Sequence, residues 1–361
     1  MPFTCPKGVE TLSQCTVLIY ANGNNELEPE IARLLLSLET AKVSSKVTVL
    51  VQLGRASYSL VSKIRPNMRP TDIDGDWSGV RRYKVLHSGR RAKRYRVYRS
   101  ELLDTLNATN MADPATLSDF LRWGVGNYPA DKYIVVASGH GVGFIGLLSD
   151  YTTPYPQVLP IPEFCSILRD LRDTIGKPID YLILDVCDMN YVEVCYEHVA
   201  DGIPVADMLL ISGEETPLAG LPIAQIITEL VSGGHVTSTQ VLTIQLSYTP
   251  FLKLKECRQQ DDALGELIKE VRSINEMIVV SEDSQYPLII WIPTDRLKYE
   301  RYRKWYDRLS INLGKGSEEG IRNIPFPLLL GSLSVYNPGL SESELYTLAS
   351  LLGWDDRLLG T

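Results

Sequence analysis

Two apolar runs, each ending in a group that can do covalent chemistry, constrain this chain most. Tyr133-Ile134-Val135-Val136-Ala137 runs into Ser138-Gly139-His140-Gly141, and Tyr181-Leu182-Ile183-Leu184 runs into Asp185-Val186-Cys187-Asp188. Short β-branched runs closed by Gly or charge read as buried strands of a parallel sheet. The Pro- and Tyr-rich loop Ser149–Pro162 and a helix over about Pro162–Ile175 separate them. That spacing makes a βαβ unit with parallel strands and a right-handed crossover. Chemistry in open α/β sheets collects beyond the carboxyl ends of the strands. Neighbouring strands ending in His140 and Cys187 would therefore bring an imidazole and a thiol to one sheet edge.

The rest of the chain supplies a sheet and its covering helices. Cys15–Ala21 and Lys46–Leu53 read as the first two strands, with the turn Asn22-Gly23-Asn24-Asn25 after the first. A helix from near Glu26 carries Ile31, Leu34, Leu35 and Leu38 at helical spacing. Residues 54–112 form an insertion, and Asp113 or Thr116 starts a helix to about Val125. A helix over Asn190–Val199, a strand over Met208–Ser212 and a helix over Pro222–Val231 follow Cys187. Beyond Gly233-Gly234 the pattern is mainly helical, clearest over Gln260–Val280 and Arg296–Leu313, with strand-like runs at Tyr286–Ile292 and Leu329–Tyr336. The expected organisation is an α/β domain over 1–234 and a mostly helical C-terminal subdomain over 235–361.

The net charge of −8 conceals a stretch from Arg81 to Arg99 that contains no acidic residue. Its alternation around Ser88-Gly89 predicts an exposed basic β-hairpin at about 78–100. A solvated hairpin facing an acidic body is the favoured reading; docking of nucleic acid or an acidic partner is the competing one. No stacking-platform motif accompanies the cations, so nucleic acid is not expected as a partner. No apolar run approaches the roughly eighteen residues of a membrane span. The first residues lack a basic and an apolar region of a leader, which predicts a cytoplasmic protein; a trimmed mature form of an exported one would read the same. Six scattered cysteines without a CxxC pair argue against a disulfide scaffold or a zinc cluster, and no metal ligand set is expected.

An ordinary cysteine is only a few per cent thiolate near neutrality, and a base beside it makes it a strong nucleophile. Histidine titrates in the right range to be that base. The glycines around His140 allow close backbone approach, so the amides of Gly141 and Cys187 are candidates to face a developing oxyanion. His87, His198, His235, Cys15, Cys165, Cys195 and Cys257 read as packed or surface residues.

Several blocks resemble the clostripain family of cysteine peptidases, relatives of caspases, gingipains, legumain and separase. They are TVLIYANGNNELEPE at Thr16–Glu30, WSGVRRY at Trp77–Tyr83, NMADPATLSDFLRW at Asn110–Trp123 and NYPADKYIVVASGHGVG at Asn127–Gly143. DYLILDVCDMNYVEVCYE at Asp180–Glu197, ADMLLISGEETP at Ala206–Pro217, SLSVYNP at Ser332–Pro338 and GWDDRLL at Gly353–Leu359 follow in order. The resemblance implies a caspase-like fold, a mostly parallel sheet flanked by helices, and endopeptidase activity on protein or peptide substrates. In it His140 is the general base and acid, Cys187 the nucleophile, and no third side chain orients the histidine.

Asp185 matches the position that lines the P1 pocket in the family, which implies a preference for Arg or Lys. The chain departs from the pattern after Glu214-Glu215, where a glycine-rich segment with Trp and an acid is missing, and at Asp188, where an apolar residue is usual. Asp188 is read as a helix N-terminal acid, with added negative charge near the pocket the competing reading. Several relatives cleave themselves after a basic residue between the two strands, yet Gly141–Leu168 contains no Lys or Arg. A single-chain monomer is expected, with nicking at Arg90-Arg91-Ala92-Lys93-Arg94 the next alternative. No cofactor is required on this reading. Calcium is left open, with Asp72-Ile73-Asp74-Gly75-Asp76 its one acidic cluster. The competing function is a catalytically silent caspase-like module that docks through the basic hairpin.

Overall fold

In a computed structural model, the described residues are 13–87, 97–143, 145–153, 156–189, 203–212, 216–233 and 333–354, with Val194, Glu197, His198, Asp201 and the backbone of 241–245 and 278–279. The strands are β1 (Ser13–Gly23), β2 (Val47–Arg55), β3 (Gly79–Lys84), β4 (Glu101–Asn107), β5 (Ala130–Ser138), β6 (Gly146–Asp150), β7 (Gln157–Pro160), β8 (Ile179–Asp185), β9 (Ala206–Ser212), β10 (Val241–Gln245) and β11 (Ile278–Val279). The helices are α1 (Glu28–Leu38), α2 (Tyr58–Ile64), α3 (Pro114–Asn127), α4 (Ile161–Ile175), α5 (Ile223–Val231) and α6 (Glu342–Leu351).

The main sheet runs β11-β10-β9-β8-β5-β1-β2-β3-β4. Its centre, from β9 through β8, β5 and β1 to β2, is parallel. Both flanks turn antiparallel, β3 and β4 on one side and β10 and β11 on the other. The central strands are apolar toward both faces, as strands covered on both sides must be. Leu18, Tyr20, Val135, Leu182 and Leu184 meet α3 and α4 through Phe120, Leu121, Phe164 and Leu168. Val17, Ile19, Val49, Val51, Val136 and Ile183 meet α1 and α5 through Ile31, Leu35, Leu38, Ile223, Ile226 and Ile227. The α/β expectation of a mostly parallel sheet flanked by helices holds.

Local signals place the elements that carry the two reactive residues. Asp113 caps α3 by accepting from the amide of Ala115 at 2.8 Å, ahead of Pro114 in the first turn. Helix α4 has Pro162 in its first turn and ends at Gly176 with φ 75°. The crossover therefore stops where β8 must begin, and β8 lies parallel beside β5 with Ser138 opposite Asp185.

Four local expectations are corrected. The segment Ser149–Pro162 is more than a loop, because Gly146–Asp150 and Gln157–Pro160 pair as an antiparallel hairpin. The arm Arg81–Lys84 is not half of an exposed hairpin about Ser88-Gly89. It lies inside the main sheet between β2 and β4, and the hairpin partner is Glu101–Asn107. Arg82 is buried, donating to Gln52 Oε1 at 2.8 Å and pairing with Asp119. Arg81 stacks over Trp77 and Lys84 over Tyr128. Leu333–Tyr336, read as strand-like, is a helical turn, because Leu333 packs as one buried knob beside Ile64, Leu345 and Trp354. Ile278–Val279, inside the expected helix over Gln260–Val280, instead extends the sheet beside β10, which already crosses the expected boundary at 234. Arg90–Arg94, Tyr286–Ile292, Arg296–Leu313 and most of Asn190–Val199 lie outside the described residues.

Candidate active site

The sheet register explains why His140 and Cys187 emerge at the same end of the sheet. Ser138 and Asp185 are direct neighbours at the carboxyl ends of β5 and β8, and each reactive residue follows its strand end by two positions. The Gly139 amide donates to the Asp185 carbonyl at 3.2 Å, holding the two exits together. Gly139 itself has φ 153°, a conformation L side chains rarely adopt, where the chain leaves the sheet. Gly141 packs so closely on the Cys187 carbonyl oxygen that a Cβ there would overlap it. His140, Gly141, Asp185, Cys187 and Asp188 all line one cavity of about 620 Å³. Cys187 is half-buried, and its Sγ lies 3.9 Å from the Thr216 carbonyl oxygen.

The loop carrying His140 is braced from behind by the β6–β7 hairpin. Leu148 donates its amide to the His140 carbonyl at 2.6 Å, and Val142 donates to Gly146 at 2.9 Å. Gly141 is thus the residue of that bridge whose own amide is not used by the hairpin. Leu148, with φ 60°, and Asp188, with φ 57°, are left-handed residues on either side of the site. Such conformations in side-chain-bearing residues persist where surrounding structure imposes them, and they gather at functional sites. The buried Asn22 donates to the carbonyls of Leu148 and Ser149 at 2.9 and 3.0 Å, and Asn25 donates to Ser149 at 2.7 Å. Asp150 accepts from Asn24 and from the Met111 amide, at 2.8 and 2.7 Å.

A residue that the sequence pattern did not single out touches the histidine. Glu26, fully buried, places Oε1 2.9 Å from His140 Nε2. The sequence reading placed no side chain against His140, and this contact lies outside it. Tyr151 stacks on the other side of the ring, with centroids 6.0 Å apart and planes 17° apart. In the sequence Glu26 stood at the start of a helix, where an acid is favourable in any case, and nothing local marked it as buried.

Asp185 lies under the opposite wall. Its Oδ2 accepts from Ser138 Oγ at 2.6 Å and its Oδ1 from the Leu221 amide at 2.6 Å. Burial pushes its carboxyl up from 3.8 to about 6, and those two hydrogen bonds hold the rise in check. The rest of the cavity is mixed: Leu27 just ahead of α1, Ile31 and Leu34 of α1, the Thr216–Leu221 wall, and Val335 and Tyr336 from the C-terminal part of the chain. Asp188 is also among the residues lining this cavity. Glu214 and Glu215 lie outside the described residues.

Among the described residues away from this cavity, one histidine and two cysteines are buried. His198 is buried, held by the Val194 carbonyl at 2.6 Å and pushed down to about 4 by burial. Cys15 and Cys165 are buried. His235, Cys195 and Cys257 lie outside the described residues. In the Asp72–Asp76 loop, Asp74 accepts from Trp77 Nε1 at 3.1 Å and the Tyr98 amide at 3.4 Å and lies 3.5 Å from Arg81. Among the described residues no three His, Cys, Asp or Glu side chains gather to hold a metal, and no helix is long and apolar enough to cross a membrane.

Known proteins resemble this chain in sequence and in fold. Clostripain of Hathewaya histolytica is 24% identical over 249 residues, covering 63% of this chain and 44% of the relative, so the chain spans less than half the length of that curated relative. An inactive zymogen C11 protease from Parabacteroides distasonis shares the fold with a TM-score of 0.53, at 16% identity, over 83% of this chain and 97% of the other. A secreted C11 cysteine protease from Bacteroides thetaiotaomicron, solved with an irreversible peptide inhibitor, matches with a TM-score of 0.47 and 19% identity over 70% of each chain. A sequence profile of the clostripain family matches residues 88–286, more than half the chain and inclusive of both reactive strand ends. The chain belongs to the clostripain family of cysteine peptidases.

Proposed function

We propose that this protein is a cysteine endopeptidase that cleaves protein or peptide chains through Cys187 and His140, with a preference for Arg or Lys at P1. The observation that carries the reading is the convergence of both side chains on one cavity from register-matched strand ends, with Gly141 pressed against the Cys187 carbonyl. His140 takes the proton of the Cys187 thiol, and the resulting thiolate attacks the scissile carbonyl carbon, forming a C–S bond. The carbonyl electrons move onto oxygen, which the amides of Gly141 and Cys187 hold. His140 delivers a proton to the leaving nitrogen as the C–N bond breaks, leaving an acyl-enzyme. Water, giving a proton to His140, attacks the thioester, and the thiolate departs with the C–S bond. No step uses a metal, and turnover after chelation of divalent cations is the expected behaviour.

Asp185 supports the P1 preference because a buried carboxylate gains most from a cation brought against it. Only its ionised form offers that attraction. As pH falls through about 6 the carboxyl takes up a proton and the attraction is lost. The test is a fluorogenic peptide panel varied at P1 and assayed from about pH 5 to about pH 8, a span that brackets that titration. Arg and Lys peptides should be cleaved best at the alkaline end. The ratio of kcat/KM for P1 Arg over P1 norleucine should fall once the pH drops below about 6, a ratio in which changes common to both substrates cancel. Best cleavage after uncharged residues, with a pH-independent ratio, would discard the basic pocket and leave the Cys187–His140 chemistry standing.

A further inference from the structure

Glu26 is the most unusual titratable group near the cavity. It is fully buried, yet only one carboxylate oxygen, the one at His140 Nε2, has a partner among the described residues; Oε2 has none. A buried carboxylate with an unsatisfied oxygen is costly, and a purely architectural ion pair would not select that arrangement. Its backbone is fixed from both sides. Arg65 donates to the Glu26 carbonyl at 2.9 Å, binds Glu30 at 2.9 and 3.3 Å, and lies against the Tyr336 ring at 5.2 Å. Asn25 Oδ1 accepts from the Leu27 amide at 2.9 Å. Tyr151 covers the imidazole face, so the ring is restrained at its edge by Glu26 and at its plane by Tyr151.

We propose that Glu26 is a positioning residue for His140: its carboxylate accepts the Nε2 proton, fixes the neutral tautomer with the lone pair on Nδ1, and stabilises the imidazolium formed during turnover. A carboxylate behind an imidazole acts in this way by orientation and charge, without itself taking the proton. The role rests on the peptidase reading given above, and the hydrogen bond on which it stands can be read without any turnover.

Two experiments test it. The first is ¹⁵N-histidine NMR of the full chain, wild type and Cys187→Ala, at a pH where the His140 ring is neutral. Protonation on Nε2 is expected, and a neutral ring protonated on Nδ1 would overturn the proposal whether or not the protein cleaves peptides. The second compares kcat and KM for Glu26→Gln and Glu26→Ala. Gln keeps an acceptor of the same shape without charge and should lower kcat about tenfold; Ala should lower it about a hundredfold, with KM moving less than about twofold in both. A folded Glu26→Gln protein with wild-type kcat, or a loss confined to KM, would overturn it. A wild type without Cys187-dependent turnover would instead sink the peptidase reading, while the NMR result would still decide whether the hydrogen bond exists.

Discussion

Replacing Cys187 by alanine should abolish peptide cleavage, lowering kcat by at least ~10⁴-fold, while leaving the thermal midpoint within a few degrees of wild type. The expectation follows from two features of the residue. Chemically, Sγ forms and breaks the only covalent bond between enzyme and substrate, and loss of a nucleophile removes nearly all the rate that an acyl-transfer site supplies. Structurally, the side chain is half-buried at a cavity wall, with Sγ 3.9 Å from the Thr216 carbonyl oxygen, so little packing is lost with the sulfur. Residual cleavage above ~1% of wild type by purified Cys187→Ala protein would mean that another group performs the attack.

Gly141→Ala is the second large effect, and it arises from backbone rather than from chemistry. The new methyl would overlap the Cys187 carbonyl oxygen and also crowd the Met189 methyl at 3.0 Å. Peptide groups at two strand exits would have to move apart, because a carbonyl oxygen cannot rotate away as a side chain can. That shift separates His140 from Cys187 and turns the Gly141 amide from the oxyanion position. A misplacement of about 1 Å costs on the order of 10² in rate, and a lost oxyanion donor roughly another 10² to 10³. A drop of roughly 10³ to 10⁴ in kcat is therefore expected, together with a lowered thermal midpoint. Gly126→Ala, on the exposed side of α3 with nothing within 4 Å of an added methyl, should leave activity and fold intact as the control. Wild-type kcat in Gly141→Ala would show that the two exits are not in contact during turnover.

The central sheet was legible because its strands are continuous β-branched runs closed by Gly or charge, and because α1 and α4 carry apolar residues at helical spacing with Pro in the first turn of each. The convergence of His140 and Cys187 on one cavity followed from two such strands joined by one crossover. What escaped the sequence depended on contacts made across long separations. Period-two alternation marked Arg81–Lys84 correctly as a strand, but nothing local says that its partners are β2 and β4, or that Arg82 meets Gln52 and Asp119. The β6–β7 hairpin was hidden by its irregular register, in which Leu148 turns left-handed and breaks the alternation. Glu26 was hidden most thoroughly. Its stretch, Asn22 to Glu30, is polar enough to suggest solvent, and it is buried only because the β6 hairpin, Arg65 and His140 close over it from elsewhere in the chain.

The most direct measurement of the proposed chemistry is covalent trapping of wild-type protein with a peptidyl acyloxymethyl ketone bearing P1 Arg, followed by intact mass and peptide mapping. The account predicts one equivalent of label, on Cys187, formed at a rate that collapses in His140→Ala and is slowed by competing substrate. A folded wild-type protein that leaves Cys187 unlabelled, or carries the label on Cys15 or Cys165 instead, would contradict it.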